Sequence, residues 1–267
     1  MKKGLKRLNI ILSSMGSVLI AYSGGVDSTF LLKAASEILE ERVLAVTADS
    51  PTITREELTF AKKTAKEFGV RHIVIETKEM ECKDFVDNSP SRCYWCKNEL
   101  FTELNKMADR YGMEYVLDGS NYSDISDYRP GLKAASELKV RSPLKEASLT
   151  KKDIREILRS WGLPVWNKPA TACLSSRIPY GQKISVGLLE KIEKAEKELH
   201  LLGFKQVRVR DHNEIARIEI SEEDFFKLLE RHIKQKISSS LKKLGYKFIV
   251  LDLDGYRTGS LNEVFQK

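Results

Sequence analysis

With 267 residues the chain is long enough to bury a sizeable core in one or two domains, and its 42% hydrophobic and 31% charged content is that of a globular protein in water. No apolar run approaches the roughly 18 residues of a membrane span, and the basic start Met-Lys-Lys-Gly-Leu-Lys-Arg-Leu leads into no signal-type apolar segment, so a cytoplasmic protein without a membrane partner is expected. The net charge of +7 favours anionic ligands, but no block of basic residues marks a nucleic-acid tail.

In chain order, Val18–Tyr22 is a short apolar run expected as a buried parallel strand, and Phe30, Leu31, Leu32, Ala34 and Ala35 supply a helix reaching about Leu39. Between them lies Ser23-Gly24-Gly25-Val26-Asp27-Ser28. Gly24 and Gly25 allow a sharp bend and a close approach to a ligand. Asp27 and Ser28 are expected to cap the helix start. Free N–H groups and the helix dipole there make an anion site. The plainer reading is a glycine turn before a capped helix.

Val43–Thr47 is expected as a second strand, Arg55–Phe68 as a helix, Val70–Glu76 as a third strand and Asn98–Tyr111 as a helix. Glu114–Asn121 reads as a strand ending in a polar turn, and Leu138–Val140 as a short strand. A strong helix follows, with Thr150 as cap, Gly162 as stop and Pro164 beyond. This βαβα rhythm is the mark of an α/β fold with a doubly wound parallel sheet, whose ligands sit beyond the carboxyl ends of the strands. Ser23–Ser28, Asp49–Ser50 and Asp118–Ser120 all fall there. After Pro169 the pattern changes: a loop over Thr171–Ile184, a helix over Val186–Leu202, two strands around a turn at Asp211–Asn213, a helix over Glu222–Leu244 and a last strand in "KFIVLDL". These fit a small α+β unit, giving expected domains of 1–180 and 181–267.

Four cysteines in a cytosolic chain point to metal, redox or catalytic thiols rather than disulfides. Cys93 and Cys96, with Trp95 between them, have the spacing of zinc ligands, iron–sulfur ligands, a redox pair or merely two buried thiols. Cys173 comes much later, and Cys82 stands alone. His72, His200, His212 and His232 lack ligand pairing. Arg208 and Arg210, two apart on a strand, share a face. They fit either a phosphate clamp or a solvated surface.

The hexapeptide Ser23–Ser28 resembles the PP-loop of ATP pyrophosphatases; no Gly-Lys-Ser/Thr follows, unlike a Walker A loop. The resemblance implies that the loop holds the β/γ-pyrophosphate of ATP while a nucleophile attacks the α-phosphorus. It also implies Mg2+, with Asp27 a candidate contact. "TADSP", "SRCYWCK", "DYRPG" (Asp127–Gly131), "SPL" (Ser142–Leu144) and "KPATACLSSRIPYG" occur in this order. Together they resemble the LarE family, ATP-dependent sulfur transferases of nickel-pincer nucleotide biosynthesis.

That resemblance implies adenylation of a carboxylate on a pyridinium dicarboxylate mononucleotide, then its conversion to a thiocarboxylate. It implies an ATP site of Ala21, Ser23, Gly24, Gly25, Asp27, Ser28, Thr47, Ser50 and Gly119, with Asp27 and Cys173 catalytic. The implied substrate contacts are Trp95, Ser176, Arg177, Arg208 and Arg210. Members with a CxxC as well are implied to hold a 4Fe-4S cluster on three cysteines, here Cys93, Cys96 and Cys173, whose open iron binds hydrosulfide. Others sacrifice the sulfur of the residue matching Cys173. A homo-oligomer is expected. Competing readings are a tRNA thiolase, for which the chain shows no zinc ribbon or RNA module, an amidotransferase, and a non-catalytic sensor.

Overall fold

The computed structural model describes residues 2–126, 130–169, 172–257 and 259–261. They fall into two compact units, Met1–Phe85 with Pro90–Thr171, and Val86–Ser89 with Ala172–Lys267. The chain thus divides at 171/172 rather than at the expected 180/181, and residues 86–89 join the second unit. Hydrogen bonding accounts for both differences. Arg177 Nη1 donates to the carbonyls of Ala172 (2.6 Å) and Cys173 (3.0 Å). Asn88 Nδ2 donates to those of Pro179 (2.8 Å) and Gln182 (2.9 Å).

In the first unit the basic start, for which no element is expected, forms helix α1 (Lys2–Ser13). Its Leu8 and Leu12 are fully buried, one turn apart on the core side. Strand β1 (Val18–Ala21) and helix α2 (Val26–Leu39) follow, then β2 (Val43–Asp49), α3 (Arg55–Glu67) and β3 (Arg71–Glu76). Next come α4 (Arg92–Tyr111), β4 (Tyr115–Leu117), α5 (Pro130–Glu137) and α6 (Lys151–Ser160). The sheet order is β3-β2-β1-β4, parallel throughout. Alternation along the strands sorts the two layers. Val18, Ile20, Val43 and Ala45 pack with α1, α2, α3 and α6, whereas Leu19, Leu44 and Val46 pack with α4 and α5. This is the expected doubly wound arrangement.

Two local expectations fail. Helix α4 begins at Arg92, not Asn98, so Cys93 and Cys96 ride on its first two turns. The strand expected at Leu138–Val140 is the exit of α5 instead. Lys139 takes a left-handed conformation (φ 57°) and Val140 N bonds back to Ala135 O at 2.9 Å. A single parallel bridge, Leu117 to Arg141, remains.

The second unit runs α7 (Val186–Leu201), β5 (Val207–His212), β6 (Ile215–Ile220), α8 (Arg231–Lys243) and β7 (Phe248–Leu251). Its sheet is β5-β6-β7, with an antiparallel hairpin and a parallel return. The helix expected over Glu222–Leu244 is broken at Glu230, whose backbone is extended (ψ 132°). A continuous helix would set Leu228 and Ile233, five residues apart, about 140° apart around its axis. The break lets Leu228, Ile233, Ile237 and Leu241 enter one core. Among the described residues no helix is long and apolar enough to cross a membrane.

Helix α6 is fastened at its start by a reciprocal cap. Thr150 Oγ1 accepts from Asp153 N (3.2 Å), and Asp153 Oδ2 accepts from Thr150 N (3.1 Å). Thr150→Ala is expected to lower the unfolding free energy by about 1 kcal/mol, read as a shift of the urea midpoint at constant slope.

Candidate functional site

The first site lies where β1 gives way to α2. The N-cap of α2 is Gly25, and no side chain caps the helix. The expectation that Asp27 and Ser28 cap it is therefore corrected. Ser28 folds back on the loop: its hydroxyl lies 3.0 Å from Ser23 Oγ, accepts from Ser23 N (3.3 Å) and donates to Gly25 O (3.3 Å). The first backbone N–H groups of α2 are left uncapped, which is what an anion requires.

Two glycines keep this backbone uncovered. Gly24 has φ +72° and lies against α3, where a Cβ would come 3.1 Å from Ala61 Cβ. At Gly119, beyond β4, a Cβ would come 3.0 Å from Ser28 N. The carboxyl ends of β1 and β4 thus meet the loop at backbone distance.

Asp27 sits in the first turn of α2, and its Oδ1 is buried with no hydrogen-bond partner among the described residues. Burial raises its pKa, which Lys151 opposes and Asp124 reinforces. An orphaned, desolvated carboxylate oxygen beside a phosphate loop is a fitting ligand for a hard cation such as Mg2+. Thr47 and Ser50 are buried and committed inward. Thr47 Oγ1 bonds Tyr22 O (2.6 Å) and His72 Nε2 (2.8 Å). Ser50 Oγ donates to Glu79 and accepts from Thr52 N. Ala21, half-buried, closes β1. Asp118 accepts from the hydroxyls of Ser120 (2.7 Å) and Ser142 (2.7 Å), fixing the turn that carries Gly119.

Lys168 is not singled out by the sequence. Its Nζ donates to Gly24 O at 3.0 Å and stands 4.0 Å from the Phe60 ring centroid. Its one signal is position, at the head of the KPATACLSS segment.

Cys93 and Cys96 are half-buried thiols three residues apart on α4, so they share a helix face, and helix starts favour thiolate charge. Trp95 between them is half-buried and packs edge-on to Tyr94 at 5.1 Å. Cys82 is half-buried. The pair fits two ligands of a cluster. Among the described residues, however, no group of three or more His, Cys, Asp or Glu side chains is placed to hold a metal. Asp127, Tyr128 and Arg129 of "DYRPG" lie outside the described residues.

In the second unit, Cys173 is exposed and precedes a short helical turn, Leu174–Arg177, in which Ser176 is half-buried. Arg177 is fully buried and forked on Glu196, with Nε–Oε1 and Nη2–Oε2 both 2.9 Å. Burial pushes its pKa down, Glu196 more than offsets this, and the net shift is upward. Arg208 and Arg210 share a face of β5 as expected, but the face is buried rather than solvated. Arg210 forks on Glu219 (2.8 and 2.9 Å) and reaches Ser176 O (2.5 Å) and Ser260 Oγ (2.7 Å). Arg208 lies over the Tyr256 ring, 5.2 Å from its centroid. Burial and then the charge of Arg177 lower its pKa.

Glu196 and Glu219 are missed by sequence reasoning. Glu196 has a readable signal: it stands four residues after Ile192 and seven after Leu189, on the apolar stripe of α7. A carboxylate there needs a buried cation.

Comparison with known proteins follows the same lines. A family model described as asparagine synthase matches residues 11–113. An uncharacterised protein of Synechocystis sp. is 41% identical over 98% of both chains. The pyridinium-3,5-bisthiocarboxylic acid mononucleotide synthase of Lactiplantibacillus plantarum is 39% identical over 96% of this chain and 92% of its own. An uncharacterised protein of Methanocaldococcus jannaschii is 35% identical over 90% and 91%.

The buried forks make a stability prediction. Glu196→Ala leaves a guanidinium buried without its counter-charge and is expected to destabilise the protein by about 3–5 kcal/mol. Replacing both partners, Arg177→Met with Glu196→Leu, should recover most of that loss. Urea denaturation of the three proteins checks it, and equal losses in single and double variants would contradict it.

Proposed function

The chain belongs to the LarE family of PP-loop, ATP-dependent sulfurtransferases, and from this premise we propose that it adenylates a carboxylate of a pyridinium dicarboxylate mononucleotide and converts it to a thiocarboxylate. The observation that carries the reading is the uncapped start of α2 behind the bent Ser23–Gly25 backbone, with the orphaned Asp27 oxygen beside it.

The chemistry needs what that loop offers. A carboxylate oxygen is a poor leaving group. When it bonds to the α-phosphorus of ATP, the bond from phosphorus to the bridging oxygen breaks and its electron pair leaves with pyrophosphate. A sulfur nucleophile then displaces AMP from the acyl carbon. Ser23, Gly24, Gly25 and Ser28 are the residues we assign to the pyrophosphate. Asp27 is assigned to Mg2+, which supplies Lewis-acid neutralisation of phosphate charge when bound. Ala21, Gly119 and the backbone at Thr47 and Ser50 line the nucleotide side. Arg208 and Arg210 are assigned to the phosphate of the mononucleotide, supported by their place two residues apart on one face of β5. Ser176 and Trp95 are further contacts, and Arg177 fixes the Cys173 turn. ATP use and cysteine thiols suit the cytoplasm.

For sulfur, we assign Cys93, Cys96 and Cys173 as ligands of a 4Fe-4S cluster, which when bound offers an open iron to hydrosulfide. The spacing of the pair on α4 supports two of the three ligands. The exposure of Cys173 favours a second reading, in which that thiol gives up its own sulfur.

Pyrophosphate release from MgATP in the presence of the mononucleotide tests the activity, and release driven by tRNA instead would overturn the substrate class. Asp27→Ala should lose that release while keeping the fold. Iron and sulfide analysis under anaerobic conditions separates the sulfur readings. Alanine at Cys93, Cys96 or Cys173 should each abolish the brown chromophore and sulfur transfer, and Cys82→Ala should do neither. Loss of the mass of hydrogen sulfide at Cys173 after turnover, or full activity in a Cys93→Ala, Cys96→Ala double variant, would replace the cluster by self-sacrifice.

A further inference from the structure

The loop Ser23–Ser28 contains no lysine, and the next along the chain, Lys33, lies on α2 with its ammonium 3.0 Å from Glu37. Yet a polyphosphate carries several negative charges, and a phosphate loop without a cation relies on backbone dipoles and the metal alone. The structure brings a cation from 144 positions downstream. Lys168 Nζ donates to Gly24 O at 3.0 Å, in the middle of the loop. The ammonium also lies over Phe60 of α3, 4.0 Å from the ring centroid. Glu57, one turn before it on α3, comes no closer than 4.0 Å, beyond hydrogen-bond reach. The side chain is 19% exposed, and burial pushes its pKa down while Glu57 and Glu56 push it back up.

An ammonium has three donors. One is spent on the Gly24 carbonyl, and Glu57 is near enough to attract the charge without a hydrogen bond. A half-desolvated ammonium placed this way is short of a full partner. The element that supplies it also matters. Lys168 follows the short helical turn Pro164–Asn167, which is tied to α6 by Arg155: its guanidinium donates to the carbonyls of Trp166 (2.5 Å) and Lys168 (2.8 Å). The backbone at Lys168 is thereby anchored, and the ammonium reaches Gly24 from a fixed base.

We propose that Lys168 is the phosphate-binding cation of this loop, resting on the Gly24 carbonyl without nucleotide and donating to the β- and γ-phosphates of ATP when it binds. The inference rests on the ATP reading above and deepens it. As the bond from the α-phosphorus to the bridging oxygen breaks, the electron pair goes to pyrophosphate, so charge grows on the group that the ammonium faces. Lys168 therefore binds ATP and helps pyrophosphate to leave, with no proton transferred.

The test is calorimetric binding to the full chain with excess magnesium, using MgATP, magnesium pyrophosphate and AMP as probes. Lys168→Met keeps an unbranched side chain of similar length without the charge, and Lys168→Arg keeps the charge. Lys168→Met should weaken MgATP and pyrophosphate by about ten- to a hundredfold, leave AMP within twofold, and be partly restored by Lys168→Arg. An equal loss for AMP would make Lys168 a structural clamp on the loop and overturn the proposal. Unchanged MgATP affinity would overturn it as well. The two readings fail separately: a wild-type protein that binds MgATP but transfers no sulfur loses the proposed activity and leaves Lys168 standing. Absence of MgATP binding in the wild type overturns both.

Discussion

The start of helix α2 is held with its amide groups uncovered, and the surrounding structure of the first unit is organised by that constraint. An uncapped helix costs about 1 kcal/mol relative to one with a good side-chain cap, so it persists only where neighbours hold it. Here α3 presses on Gly24 through Ala61, and the exit of β4 presses on Ser28 through Gly119. Neither position has room for an ordinary side chain. The Ser28 hydroxyl, which sits in the first turn, is turned onto its own loop, and those of Thr47 and Ser50 are spent on Tyr22, His72 and Glu79. What faces a ligand is backbone, and backbone donors do not rearrange when charge develops, which is the condition for stabilising a leaving phosphate.

The second unit solves a different problem with the opposite means. Its arginines are buried, and a buried guanidinium is costly unless both faces of the fork are matched. Glu196 and Glu219 match Arg177 and Arg210 with two parallel hydrogen bonds each. Glu196 also accepts from Val209 N at 3.0 Å, which ties the side chain of α7 to the backbone of β5. The pairs orient the Cys173 turn from both sides, Arg177 through the carbonyls of Ala172 and Cys173 and Arg210 through that of Ser176. Arg208 donates to the carbonyl of Val207 at 2.9 Å and lies over the Tyr256 ring.

The parallel sheet is legible because alternation sorts apolar residues between two helical layers, and Val18, Leu19 and Ile20 announce both. The phosphate loop is legible only through the whole hexapeptide Ser23–Ser28, whose order resembles the PP-loop; two glycines between a strand and a helix would serve a plain turn equally well. Its capping is not: a local rule puts Asp27 and Ser28 on the helix amides, whereas a ligand site leaves those amides bare. Helix α1 escapes because its lysines point toward targeting and away from Leu8 and Leu12. The break at Glu230 carries neither glycine nor proline, and it is set by the phase of Leu228 against Ile233, which only the core decides. Ion pairs such as Arg177–Glu196 join residues nineteen apart in sequence, and no local pattern names the partner. Lys168 is hidden for the same reason, since its contact with Gly24 is wholly tertiary.

Residues 86–89 belong to the second unit although the rest of that unit begins at Ala172. Asn88 fills its place by bonding to the carbonyls of Pro179 and Gln182, and Ile184 N bonds to Val86 O at 2.9 Å. A ribosome releases Asn88 long before those partners exist. The first unit is complete once Thr171 has emerged, and can form while the later residues are still being made. The second must wait, with its early segment held as a loop, until the downstream chain arrives to enclose it. Neither unit can therefore be exchanged between relatives as one continuous stretch of gene.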